Sequence, residues 1–154
     1  MNLRCWFLVA IALMSAAPAC KKPSVQQTVV VHLFRDLHSP YAHELDHRIL
    51  EFQSSNPRLQ SGAPVVVESI NEIEYETALK NDFDKNVKVE VVILNDPNDV
   101  TEIPTLTAAL ANATNICAAV KACPAMVPAL ITTNATAERA TASQLFVDYL
   151  AKQK

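Results

Sequence analysis

Apolar runs alternate with stretches of helical periodicity along most of this chain. Four runs have the length and β-branched content of buried strands, and they lie at residues 28–34, 63–70, 87–95 and 127–131. Three stretches repeat apolar residues with the helical period, at residues 39–53, 106–120 and about 136–151. A shorter helix is predicted after the second strand, where Asn71 and Glu74 have the spacing of a capping box.

This alternation predicts an α/β fold. Strands that are apolar on both faces and separated by helices are typical of a parallel sheet covered on both sides. We therefore expect a three-layer β-α-β-α-β-α-β-α domain, with a mainly parallel four-stranded sheet, helices on both faces and the strand order 2-1-3-4. At the start of the first helix, Ser39 is expected to be the N-cap and Pro40 to lie in the first turn.

The N-terminal residues resemble a bacterial export signal. The charged start MNLR precedes an apolar run that is too short to span a bilayer, and the small residues SAAPA follow it. Ala-Pro-Ala-Cys also resembles the cleavage site of bacterial lipoproteins, whose cysteine carries lipid. We expect a signal peptide at 1–19, a lipid-anchored Cys20 with a tether over 20–27, and one α/β domain at 28–154 in the bacterial cell envelope. Plain secretion, with Cys20 as the mature N-terminus, stays open.

Charge and cysteine content narrow the function further. Without residues 1–19, 12 basic and 16 acidic residues remain, and the net charge of −4 argues against nucleic acid as a partner. In an oxidising envelope, Cys117 and Cys123 are expected to form a disulfide. On one continuous helix their Cα atoms would be about 9 Å apart, beyond disulfide reach, so the helix should end or tighten near Ala122. A metal or redox role of the pair stays open, although the C-x-x-C spacing is absent.

The segment HELDH, residues 43–47, matches the H-E-x-x-H motif of zinc metalloproteases. On a helix, however, its two histidines point away from the apolar stripe and toward solvent. The stripe that decides this orientation consists of Ala42, Leu45, Ile49 and Phe52. A catalytic zinc needs a third protein ligand and a cleft, which the pattern does not supply. We expect no enzyme, no cofactor and no metal site; zinc held at the surface by the histidine pair stays open.

Ligands of open parallel sheets bind beyond the carboxyl ends of the strands. The loops predicted there contain polar residues, and two of these loops lead into helix N-termini, which favour anions. The candidate ligand-binding residues are Arg35, Asp36, His38, Ser39, Asn95, Thr133 and Asn134. A small solute or an oxyanion is the expected ligand, and ordinary capping and turn chemistry is the alternative reading. His32, inside the first strand, is expected to be a hydrogen-bonded core or edge residue.

Three segments resemble extracellular solute-binding proteins of ABC transporters. TVVVHLFRDLHSPYAHELDHRILEFQSSNP resembles their opening strand and helix, YETALKNDFDKNVKVEVVILNDPND their next helix and strand, and VPALITTNATAERATASQLFVDYLAKQ their closing strand and helix. Those proteins close two lobes on a ligand, whereas residues 100–126 are too few for a second lobe. The resemblance therefore implies a single lobe, completed by a membrane partner, by a second copy of the chain, or not at all.

A second resemblance is to thiol–disulfide oxidoreductases with a thioredoxin fold. VVVHLFRDLHSPYAHEL is similar to their first strand and active helix, with Ser39 and Ala42 where the two cysteines would stand and Val127-Pro128 in place of their cis-proline. The resemblance implies an antiparallel last strand and lost redox chemistry. We expect a lipid-anchored, non-enzymatic binding module resembling one solute-binding lobe; a degenerate thioredoxin-fold protein and a protein–protein adaptor are the alternatives.

Overall fold

The sheet has five strands and both strand directions. The computed structural model describes residues 26–72, 89–100, 103–121, 123, 126–132 and 135–153. The strands are β1 (Val29–Asp36), β2 (Val65–Glu72), β3 (Val91–Ile93), β4 (Thr114–Asn115) and β5 (Pro128–Ile131). The α-helices are α1 (Ala42–Ser54), α2 (Pro104–Leu110) and α3 (Ala137–Ala151), and Pro97–Val100 and Cys117–Ala119 are short 3-10 turns.

The strand order is β2-β1-β3-β5-β4. β1 pairs in parallel with β2 and with β3, so that Leu33 lies opposite both Ser69 and Val91. β5 is antiparallel to β3, and β4 is antiparallel to β5. The four strands expected from the apolar runs therefore lie in the order 2-1-3-4, but the fold class is wrong: the sheet is mixed, and a fifth strand is added at its edge.

The predicted third helix explains the difference in strand direction. Instead of running over 106–120, α2 covers only Pro104–Leu110, a rise of about 10 Å. Residues 111–116, ANATNI, contain two asparagines and a threonine, which favour helices weakly. The chain there forms β4 and then returns as the antiparallel β5. A short helix followed by an edge strand thus replaces the crossover that a parallel return would need.

Two hydrophobic clusters lie on opposite faces of the sheet, because consecutive residues of β1, β3 and β5 alternate between them. One cluster joins Val31, Leu33 and Val91 to apolar side chains of α1 and α3. The other joins Phe34, Val92 and Leu130 to α2 and the 3-10 turn before it. Ring contacts extend the first cluster, since the centroid of Phe52 lies 5.2 Å from those of Phe146 and Tyr149.

Helix faces follow the predicted periodicity more closely than helix starts do. The apolar pattern of 136–151 predicts that Ala142, Leu145, Phe146, Tyr149 and Leu150 are buried; in α3 Ala142, Phe146 and Leu150 are buried, Tyr149 is half-buried and Leu145 is exposed. α1 begins at Ala42 and its N-cap is Tyr41, so the prediction of Ser39 as N-cap is wrong. Asn71 lies inside β2 rather than at the start of a helix, and Glu74 lies outside the described residues.

The loop between α1 and β2 protects the edge of the described sheet. Gln53 Nε2 donates to the carbonyl of Val67 at 2.9 Å, and the N–H of Val65 donates to the carbonyl of Pro57 at 2.9 Å. The same loop turns at Gly62, whose φ of +86° is in the region that favours glycine. A Cβ there would lie 2.7 Å from Nε2 of the exposed Gln26, a flexible side chain that can shift, so the backbone conformation is what requires glycine.

Candidate functional site

The parallel strands β1 and β3 bring two of the predicted polar residues together at their carboxyl ends. Asn95 Nδ2 donates to Asp36 Oδ2 at 2.7 Å. Tyr41, which the sequence analysis did not select, completes the network, since its hydroxyl donates to Asn95 Oδ1 at 2.9 Å and lies 3.1 Å from the carbonyl oxygen of Leu94. The network fixes the loop after β1 against the loop after β3.

Arg35 lies inside the protein rather than at the open edge of the site. Only 2% of it is exposed, because it occupies the β1 face that α1 covers. Its Nε donates to Ser69 Oγ at 2.9 Å, NH1 donates to the carbonyl of Ala42 at 2.9 Å, and NH2 pairs with Asp46. The guanidinium thus joins β1, β2 and α1, and all three of its nitrogens already have acceptors.

The turn after β1 is held by Asp36. Its Oδ1 accepts the backbone N–H of His38 at 2.8 Å, while Oδ2 accepts from Asn95. The ring of His38 is 69% exposed, with Nδ1 at 3.7 Å from Asp36 Oδ1. Because both oxygens of Asp36 already accept hydrogen bonds, this carboxylate positions the turn, and the imidazole of His38 is left to face solvent.

Ser39 is the unusual residue of this turn. It is buried, and its Oγ has no hydrogen-bond partner. Its carbonyl accepts the N–H of Ala42 at 3.0 Å, but its hydroxyl does not cap α1. Among the described residues, no acceptor is found for the N–H groups of His43 and Glu44 at the start of this 13-residue helix. One buried hydroxyl without a partner and two first-turn N–H groups without an acceptor in the described chain therefore belong to one short segment.

Thr133, Asn134 and the expected lipidation residue Cys20 lie outside the described residues. β5 runs antiparallel to β3 and ends at Ile131, opposite Val91, the first residue of β3. The chain therefore leaves β5 at the sheet edge away from Asp36 and Asn95.

The HELDH helix has the orientation that its apolar stripe predicted. Ala42, Leu45, Ile49 and Phe52 are buried, whereas His43 and His47 are exposed. The described part of the chain contains no group of three or more histidine, cysteine, aspartate or glutamate side chains placed to hold a metal ion. The third ligand that a catalytic zinc site needs is therefore not found beside this pair.

A buried carboxylate, Glu90, joins β1 to α3. Its Oε2 lies 2.9 Å from His32 Nδ1 and accepts the backbone N–H of His32 at 2.8 Å. Its Oε1 accepts from Arg139 NH1 at 2.9 Å. His32 is thus a hydrogen-bonded strand residue, as expected. Sequence analysis did not select Glu90, although a glutamate inside the apolar run VKVEVVILN was the available signal.

The two cysteines near β5 lie within disulfide distance. The Cα atoms of Cys117 and Cys123 are 5.3 Å apart, and the structure joins the two residues, as predicted. The helix ends well before Cys117, so the Cα separation that a continuous helix would impose does not arise. Ala122 lies outside the described residues.

A groove of about 640 Å³ lies between the loop before β2 and the exposed side of α3. Leu59 and Leu145 give it an apolar surface, and Arg58, Glu138 and Asp148 add charges. The loop precedes β2, so the groove is near the amino ends of the parallel strands, away from Ser39. No buried side chain without a partner lines it, and we therefore base the functional argument on the carboxyl edge.

Comparison of the chain with protein-family models, with curated proteins and with solved structures finds no match. Within the described ranges, none of the helices combines the length and the apolar character needed to cross a bilayer. The functional argument therefore rests on the geometry of the site and on the sequence.

Proposed function

We propose that this protein is an exported, non-enzymatic binding module that holds a small ligand at the N-terminus of α1. The ligand presents acceptor oxygens, as a carboxylate or a singly charged oxyanion does. One observation carries the proposal: Ser39 Oγ is buried without a hydrogen-bond partner beside the uncapped start of a helix. An unpaired buried hydroxyl is costly, and a bound acceptor would remove that cost.

The chemistry of the segment supports an acceptor-rich ligand. The N–H groups of His43 and Glu44 are donors, and the hydroxyl of Ser39 can donate as well. The N-terminus of a helix also carries about half a positive charge, which favours a negative group. Ser39 Oγ has almost no solvent contact, so entry of a ligand requires the residues that cover it to move.

The charges around the segment limit the charge of the ligand. Asp36 keeps a carboxylate in the same turn, and the guanidinium of Arg35 is turned inward and paired with Asp46. Repulsion by Asp36 grows with the charge of the ligand, and the paired guanidinium of Arg35 does not offset it. Singly charged groups, such as the carboxylate of a small solute, should therefore bind better than sulfate or doubly charged phosphate.

Export and anchoring to the bacterial envelope complete the proposal. The leader-like residues 1–19, the lipoprotein-like Cys20 and the joined cysteines Cys117 and Cys123 support an oxidising compartment. From the resemblance to solute-binding proteins we retain the capture of a small solute. The last strand, β5, is antiparallel, which is the direction that the thioredoxin-fold resemblance implied, so the direction of this strand does not support a solute-binding lobe.

The test is the melting temperature of the purified protein in a panel of acetate, amino acids, phosphate, sulfate and neutral sugars. A ligand at 100 times its dissociation constant adds about 2.7 kcal/mol of stability, which corresponds to a rise of roughly 5–10 °C. We expect a carboxylate to give this rise in the wild-type protein and in Ser61→Ala, which changes an exposed serine elsewhere, but not in Ser39→Ala. Equal rises in all three proteins, or none with any acceptor ligand, would contradict the proposal.

A further inference from the structure

The exposed side of α1 holds a pair of histidines that the proposed function does not use. His43 and His47 are four residues apart, so their Cβ atoms are about 5–6 Å from each other. Both are exposed, His47 to 66% of its side chain, so neither is tied to the core. Metal–nitrogen bonds of about 2.0–2.1 Å allow two imidazoles at this spacing to bind one ion.

Glu51, one turn further along α1, orients the second histidine. Its Oε1 lies 3.4 Å from His47 Nδ1, which leaves His47 Nε2 pointing outward. Glu51 is itself held by Arg48 NH1 at 2.8 Å and by the hydroxyl of Tyr149 at 3.4 Å. A carboxylate on the far nitrogen of a histidine is the usual support of a histidine that binds metal.

We propose that His43 and His47 form a surface site for a divalent transition-metal ion, with water at its other positions. Imidazole ligands suit Cu²⁺, Ni²⁺ and Zn²⁺, and affinity should be highest for Cu²⁺. Mg²⁺ and Ca²⁺ prefer oxygen ligands and should not bind. Because the protein supplies two ligands, the ion exchanges readily and the site is neither a structural zinc site nor a catalytic one. This proposal does not depend on the anion site.

Calorimetric titration of the untagged purified protein with each of these ions tests the proposal. His43→Ala or His47→Ala should lower the affinity for Ni²⁺ at least tenfold, since each removes one of two ligands. Glu51→Gln should lower the affinity by about tenfold, as loss of a carboxylate that supports a metal-binding histidine typically does. His43 and His47 are exposed and Glu51 is half-buried, and circular dichroism checks that all three variants fold.

A matched control keeps the number of histidines but changes their spacing. The double substitution His47→Ala, Leu50→His places the pair seven residues apart, about 10.5 Å along the helix, which is too far for one ion. Leu50 is 64% exposed, so its replacement leaves the core intact. We expect this variant to bind Ni²⁺ as weakly as His47→Ala. Wild-type affinity in this variant, or in the double substitution His43→Ala, His47→Ala, would overturn the proposal.

Discussion

Replacing Ser39 with alanine should make the free protein more stable. The hydroxyl of Ser39 is buried and unpartnered, and protein mutational data put the cost of such a group at about 1–3 kcal/mol. Alanine removes the hydroxyl and keeps the Cβ atom, so it leaves only a small cavity. Because the turn is at the surface, we expect the lower end of that range, a gain of about 1 kcal/mol. The corresponding rise in melting temperature is about 2–4 °C.

Urea unfolding measures this change directly. The urea concentration at the unfolding midpoint should be higher for Ser39→Ala than for the wild type. The slope of the free energy of unfolding against urea concentration should be the same in both, because the same surface is exposed on unfolding. Ser69→Ala is the matched control, since Ser69 Oγ accepts from the buried Arg35 Nε at 2.9 Å. Loss of the Ser69 hydroxyl leaves the charged Arg35 Nε buried without this acceptor and should lower the free energy of unfolding by about 1–3 kcal/mol.

The opposite sign for Ser39 would refute this reasoning. If Ser39→Ala lowered the free energy of unfolding by 1 kcal/mol or more, the hydroxyl would have to make a strong hydrogen bond in solution. The argument for a ligand at the start of α1 would then lose its main support. A gain in stability together with a loss of ligand binding would instead show that the native serine serves binding at the expense of stability.

Three further predictions concern other parts of the molecule. Glu90→Ala should lower the free energy of unfolding, measured in urea, by about 3 kcal/mol, because charge-assisted hydrogen bonds to His32 and Arg139 are lost. The control Glu68→Ala, at an exposed strand position, should change it by less than about 0.5 kcal/mol. Equal effects of the two substitutions would contradict a structural role of Glu90. Cys117→Ser should lower the free energy of unfolding by about 2 kcal/mol, which is the loop-closure contribution expected of so short a loop. A reducing agent should lower the free energy of unfolding of the wild type by the same amount and should not change that of the variant. The hydrogen bond from Arg48 holds the pKa of Glu51 below its usual 4.5. The contribution of ionised Glu51 to the free energy of unfolding is therefore present above pH 4.5 and is lost as the pH falls through the lowered pKa. The free energy of unfolding should depend less on acidic pH in Glu51→Gln than in the wild type, and the same dependence in both proteins would refute this.

The sequence predicted the central part of the fold well, because that part follows simple periodicity. Apolar runs predicted β1, β2 and β5 nearly in place, and the apolar stripe of α1 placed His43 and His47 on the exposed side. Both patterns depend on burial alone, which the order of residues along one element encodes.

Features that depend on contacts between distant segments were not predictable in the same way. The direction of β5 follows from the early end of α2. The apolar spacing over 106–120 predicted a longer helix, although Asn112 and Asn115 are residues that favour helices weakly. Arg35 looked like a ligand-binding residue at a strand end. Its burial depends on Asp46, eleven residues away on α1, and on Ser69 in β2.

The same distinction, between features set by one element and features set by contacts between segments, applies to the candidate site. That Asp36 and Asn95 meet could be expected from parallel strands ending at one edge. That Ser39 would be buried without a partner could not, because Ser39 before Pro40 has the composition of an ordinary helix cap. The helix also begins two residues later than a cap at Ser39 would place it, since Tyr41 is the N-cap.

The contact of Gln53 with β2 has a consequence for how copies of the protein associate. A valine-rich edge strand is a template on which another molecule can add its own strand, and lipid anchoring would raise the local concentration of such templates. The amide of Gln53 and the carbonyl of Pro57 occupy the outward backbone groups of Val67 and Val65, which a pairing strand would need. Loss of the Gln53 amide should therefore promote aggregation clearly, while it lowers the melting temperature only slightly.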